Sequence, residues 1–171
     1  MTAPEFSRPV DVRQAEGLVQ NLVASEPERK ALAARFALVS IDSLTADLVL
    51  SRKDRTVSAE GRLRAAIVQS CAVSGEDLPV TIDEPLAFRF VPERSHEPGD
   101  EEVELDAEDC DEIDYSGSHI DLGEAVAQSL ALAIDPYAEG PQAEEARRKA
   151  GLLGEGGSGP FAALAALKKR D

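Results

Sequence analysis

The sequence predicts an α+β fold in which an antiparallel sheet of about four to six strands is covered by two main helices. Three observations predict it: a capped helical segment at Ser25–Phe36, two-residue alternation between Leu44 and Val91, and an apolar-striped segment at Asp121–Ile134. The chain has 171 residues, of which 43 % are hydrophobic, enough for one packed domain. Aromatics are only 4 % and Trp is absent, so the core must be built mainly from Leu, Val, Ile and Ala. The domain is expected over residues 1–138, followed by a flexible tail over 139–171.

Gly17–Ala24 (GLVQNLVA) opens on glycine and is short. Leu18, Val19, Leu22 and Val23 fit a helical face and an extended strand equally, so both readings stay open. Ser25-Glu26-Pro27-Glu28 is clearer: a Ser N-cap, Pro in the first turn and Glu three residues on form a capping box. The helix then runs through Arg29–Phe36, with Leu32 and Phe36 on its buried side. From Leu44 the period becomes two, Leu44, Ala46, Leu48 and Leu50 alternating with Thr45, Asp47, Val49 and Ser51. Arg52-Lys53-Asp54-Arg55 reads as a polar turn. The next strand, Thr56–Gln69, puts Leu63, Ala65 and Ile67 on one face and Arg62, Arg64 and Ala66 on the other, and the two runs make an antiparallel hairpin. After a turn at Ser74–Asp77, Val80–Val91 is a third strand, with Leu86, Phe88 and Phe90 facing one way. Pro85 has no N–H to give a ladder and marks a bulge or an edge.

Beyond Pro92 the composition changes. Residues 93–118 are polar and acidic and predict a mobile loop, relieved by Val103 and Leu105, which alternate with acids as in a short edge strand, and by Ile113. Asp121 then caps the helix Asp121–Ile134, with Glu124 in its first turn, a stripe of Leu122, Val126, Leu130 and Ala133, and a stop at Asp135-Pro136. In the tail, Glu139–Lys149 predicts a frayed helix and Gly151–Gly159, with five glycines, a linker. Pro160–Leu167 predicts a short apolar helix ending in Lys168-Lys169-Arg170. It is too short to be stable alone and must dock on this domain or on a partner.

The formal net charge is −15, and it is local. Glu97–Asp114 holds 11 acids and no Lys or Arg, whereas residues 1–92 hold 13 acids against 11 bases. No apolar run of about 20 residues is present to span a membrane. The N-terminal residues lack a basic start followed by an apolar run, as a secretory signal would need. A cytoplasmic location follows. Cys71 and Cys110 are expected to stay reduced there, Cys71 as a core residue and Cys110 as an exposed thiol, with no metal-ligand spacing between them.

The chemistry-bearing residues are few. His96 and His119 lie in or beside the acidic loop, with neither a G-x-S-x-G elbow nor a Cys-centred motif near them. The glycines at 154–159 follow no strand and have no Lys, so they cradle no phosphate. Asp106, Glu108, Asp109, Asp111, Glu112 and Asp114 are the candidate acidic partner-binding set. They lack the central glycine and fixed ligand spacing of a calcium loop. Arg62 and Arg64 on one strand face, with Arg52, Lys53 and Arg55 at the adjoining turn, are the candidate contact for RNA phosphates. No base-stacking aromatics are interleaved among them. No metal, cofactor or catalytic residue is expected.

In order, the chain shows FSRPV, ASEPERKALAARFAL, LTADLVL, GRLRAAIVQSCAVSGEDLPVTIDEPLAFRFVP, an acidic loop, IDLGEAVAQSLALAIDPY and a terminal PFAALAALKK. This order resembles the YceD family, the large ribosomal RNA subunit accumulation proteins, and most closely their alphaproteobacterial branch. The resemblance covers about residues 5–138 and the terminal segment. It implies a cytoplasmic role in the production, processing or stability of large-subunit (23S) ribosomal RNA. It carries over no catalytic residue. Many relatives have a C-x-x-C pair in the strand block, but here Ser74 stands at the second position beside Cys71. The expected function is therefore a non-enzymatic ribosome-biogenesis factor that reaches RNA through basic ribosomal or rRNA-processing proteins, with only weak direct RNA contact and no membrane. The alternatives are a metal-assisted RNA-processing enzyme using the acidic run, and a chaperone-like binder of a basic ribosomal protein.

Overall fold

The computed structural model describes residues 4–93 and 112–152. Its main sheet has five strands: β2 (Val19–Val23), β3 (Ser40–Lys53), β4 (Thr56–Ser70), β5 (Asp77–Pro92) and β6 (Glu112–Tyr115), in the spatial order β2-β3-β4-β5-β6. A second, two-stranded sheet pairs β1 (Pro9–Asp11) with β7 (His119–Asp121). The helices are α1 (Glu26–Arg35), α2 (Leu122–Ala133) and α3 (Ala143–Lys149), with one 3-10 turn at Val12–Gln14. The fold is α+β, as expected.

Alternation decides which side of the sheet is buried. Leu63, Ala65 and Ile67 of β4 and Leu86, Phe88 and Phe90 of β5 all point into one core, together with Leu32 of α1 and Leu122, Val126 and Leu130 of α2. In β3 the phase changes once. Ile41 is buried, a register shift follows between Ile41 and Ser43, and Leu44, Ala46, Leu48 and Leu50 are buried thereafter. Such an extra residue keeps both halves of a long strand facing the core. The strands at Gly61 approach so closely that a Cβ there would lie 1.7 Å from the Asp47 carbonyl oxygen.

Gly17–Ala24 resolves as a strand: β2 pairs with β3 from Val19↔Val49 to Val23↔Thr45. The hairpin is tighter than expected. Lys53 pairs with Thr56, so Arg52 and Lys53 belong to β3 and only Asp54 and Arg55 turn. Asp54 takes a positive φ of 57°, which its short polar side chain tolerates. Pro85 is at an edge rather than a bulge. Its pairing with Arg62 continues without a shift, and β6 covers β5 only from Arg89 to Pro92.

Two expectations need correction. The sheet is not wholly antiparallel, because β6 runs parallel to β5. The segment 93–118 is not a loop throughout, because Glu112–Tyr115 is a strand, and the unpredicted strand His119–Asp121 follows it. Polar composition reads as loop, but Ile113 registers beside Phe90 and the Tyr115 hydroxyl donates to the Arg55 carbonyl at 2.6 Å. Tertiary pairing thus overrides local composition. The expected strand at Val103 and Leu105, His96, Cys110, the glycine linker and the Pro160–Leu167 segment lie outside the described residues.

An N-terminal strap joins the two main helices. The Asp121 carboxylate caps α2 by accepting from the Gly123 and Glu124 main chain at 3.0 and 3.2 Å. It also accepts from the Arg8 main chain at 2.7 Å and from the Ser7 hydroxyl at 2.6 Å. The Arg8 guanidinium, 4.5 Å from the Phe6 ring centroid, reaches Glu28 at 2.7 and 3.0 Å. Glu28 in turn accepts from the Ser25 main chain at 2.7 Å, the predicted capping box. At the far end of α1, Arg35 pairs with Glu124 of α2 at 2.8 Å.

Two expectations follow for stability. Gly61→Ala should lower the unfolding free energy by about 1–3 kcal/mol, the usual cost of forcing a methyl into closed space, measured by chemical denaturation. Arg8 holds the Glu28 carboxyl down at about 2. A depressed folded value contributes stability above the unfolded value and loses it as pH falls through the folded one. Glu28→Gln should therefore cost about 1–3 kcal/mol at neutral pH, the range for a charge-assisted hydrogen bond. The gap between variant and parent should close as pH falls from about 4.5 towards about 2.

Candidate functional site

Because α1 and α2 both join the core on one side of the sheet, the other face is open to solvent. Strand register sets its content. Asn21, Asp47, Arg62 and Pro85 form one row, and Val23, Thr45, Arg64 and Asp83 the next. Acids and bases on neighbouring strands then pair diagonally. Arg62 bonds Asp83 at 2.5 Å, and Arg64 bonds Asp47 at 3.0 Å, while Asn21 also donates to Asp47. The Arg62–Asp83 hydrogen bond pushes the arginine up and the carboxyl down, so each holds the other charged. Arg89 is matched with Glu112 at 3.2 Å. The arginine face is thus a charge-compensated lattice rather than a basic patch.

The five predicted basic residues do not form one surface. Arg62 and Arg64 lie mid-sheet, whereas Arg52, Lys53 and Arg55 lie at the hairpin tip, about 20 Å away at the usual strand rise from Thr56 to Arg62. Arg52 is partly committed: its main-chain N–H donates to Glu16 at 2.6 Å and its guanidinium to the Val12 carbonyl at 3.4 Å. Lys53 and Arg55 are exposed and make no ion pair among the described residues. A shallow depression of about 600 Å³ beside them is lined by Ser51, Lys53, Thr56, Ser58 and Arg89.

Of the acidic set, Asp106, Glu108, Asp109 and Asp111 lie outside the described residues. Glu112 and Asp114 lie in β6, where Glu112 is engaged by Arg89 and Asp114 is exposed. His119 is exposed on β7, its Nδ1 2.9 Å from the Ser118 hydroxyl. Asp11 is its cross-strand neighbour, but that carboxylate is occupied by the Arg13 side chain and main chain. Among the described residues no third group therefore orients the imidazole as a general base needs. Among the described residues no three His, Cys, Asp or Glu side chains converge as metal ligands.

Cys71 is buried, as expected, and is also a hydrogen-bond acceptor. The Ser74 hydroxyl and main-chain N–H, with the Gly140 N–H at 3.3 Å, hold its thiol down at about 7. The sulfur thereby ties the 71–76 turn to the chain beyond α2, where the Ala72 N–H also reaches the Ala138 carbonyl at 3.0 Å.

One feature was not visible in the sequence. A groove of about 630 Å³ runs between residues 84–88 of β5, on the stretch of edge left bare by β6, and the outer side of α2. Its apolar wall includes Leu86, Phe88, Ile113 and Leu132, and Glu84 and Glu112 also line it. Leu132 is 88 % exposed and falls outside the predicted stripe of α2, which was the one local signal. No helix among the described residues is long and apolar enough to cross a membrane.

Residues 59–168, more than half of the chain, match the family model described as large ribosomal RNA subunit accumulation protein YceD. No curated protein and no solved structure matches the chain. The matched span begins in β4 and continues through β5, β6, α2 and α3 into the terminal apolar segment. The chain belongs to the YceD family, whose description ties it to the accumulation of large-subunit ribosomal RNA.

Proposed function

We propose that this protein is a non-enzymatic, cytoplasmic factor in large-subunit ribosome biogenesis that reaches ribosomal RNA through basic protein partners. The observation carrying this reading is the compensation of Arg62 by Asp83 and of Arg64 by Asp47. A nucleic-acid surface gains affinity by neutralising phosphates with uncommitted cations. Here two of the five candidate cations are already answered by carboxylates, and a phosphate would have to displace them. The acidic run from Glu97 to Asp114, with 11 acids and no bases, instead suits the positive surface of a ribosomal or processing protein. Opposite charge speeds such an encounter. Lys53 and Arg55 at the hairpin tip are the residual place for weak phosphate contact.

Catalysis forms no part of this reading, since acid–base or nucleophilic chemistry needs a positioned pair of groups. Depletion of the protein should lower large-subunit RNA and free 50S particles in subunit profiles; normal levels would sink the proposal. In the complemented strain, Arg62→Gln with Arg64→Gln should leave the profile unchanged. Replacing the acids of residues 97–114 by their amides should lose partner capture several-fold and reproduce the depletion profile. Loss of function from the arginine pair alone would show that RNA is read directly on the open face.

A further inference from the structure

The groove between β5 and α2 is apolar, lined by two acids, and bordered by a strand edge that no described strand pairs with between Glu84 and Phe88. We propose that it seats this chain's own C-terminal segment: Phe161, Leu164 and Leu167 against Leu86, Ile113 and Leu132, and Lys168–Arg170 beside Glu84. This inference does not depend on the functional reading above.

Three observations favour this occupant. The first is chemistry: PFAALAALKKR is apolar and then basic, matching an apolar wall with carboxylates on the lining. The undescribed stretch between β5 and β6, residues 94–111, carries nine acids against Arg94 alone and would meet Glu84 with like charge. The second is continuity: the chain leaving α2 lies against the same strand that walls the groove, Gly140 meeting Leu78 near the start of β5. The third is family extent, since one continuous match runs from β4 to residue 168 and so takes in the apolar segment together with the stretches that wall the groove. A helix of this length cannot persist by itself in water, so any order it has must come from such a seat.

Amide hydrogen exchange on the full-length chain tests this directly. Residues 161–167 should be protected in the parent protein. Protection should fall at least about tenfold, or about 1.4 kcal/mol of opening free energy, in Leu132→Asp and equally in Phe161→Glu/Leu164→Glu. Leu132 is 88 % exposed, so its substitution spares the fold, and unchanged protection at Leu44–Leu50 verifies this. Glu84→Lys should give a smaller loss that vanishes at high salt. Exchange of 161–167 at unprotected rates in the parent would overturn the proposal, as would protection that survives both groove and tail variants. Protection that grows with protein concentration would also overturn it, by assigning the segment to a second copy.

Discussion

The carboxylate of Asp121 is the point on which the fold closes. One oxygen accepts the N-terminal amides of α2 and the main chain of Arg8, and the other accepts the Ser7 hydroxyl. The helix start, the end of β7 and the N-terminal strap are thereby held by a single side chain. A Cβ on Gly123 would come within 2.5 Å of the Phe6 carbonyl oxygen, so the strap lies directly on the first turn of α2. Arg8 then extends the connection to Glu28 and hence to the capping box of α1. Apolar alternation sets both helices on the same side of the sheet, and this chain of charge-assisted hydrogen bonds ties them to one another there, leaving the opposite face to water.

That one-sidedness is what gives the open face its functional meaning. A solvent-facing sheet with arginines in its middle strands invites a nucleic-acid reading, but affinity comes from cations that are free to meet phosphate. Pairing Arg62 with Asp83 and Arg64 with Asp47 satisfies the face internally. The chain's surplus of negative charge is concentrated in sequence between Glu97 and Asp114, the run that the proposed reading assigns to a basic protein.

Local signals were legible wherever the cause was local. The Ser25–Glu28 box, the Asp121 cap and the alternation of β3, β4 and β5 each depend on residues within a few positions of one another. β6 and β7 were not legible because they are short and acidic, and their partners, β5 and β1, are supplied by tertiary structure. The neutralised arginines were recoverable in principle. A two-residue turn at Asp54–Arg55 pairs Lys53 with Thr56 and so sets Asp47 opposite Arg62; reading Arg52–Arg55 as the turn hid that register. The groove had only Leu132 to announce it, because its two walls come from segments about 40 residues apart and meet only in the folded chain.

On the proposed reading, contact with ribosomal RNA runs through basic proteins rather than through the sheet. Capture of the tagged full-length chain from cell extract, before and after ribonuclease digestion and then across a salt step, tests it most directly. The captured proteins should persist through digestion. They should leave as salt rises from about 0.1 to about 1 M and screening shortens from about 10 Å to about 3 Å. Release of those proteins by ribonuclease at low salt would contradict it.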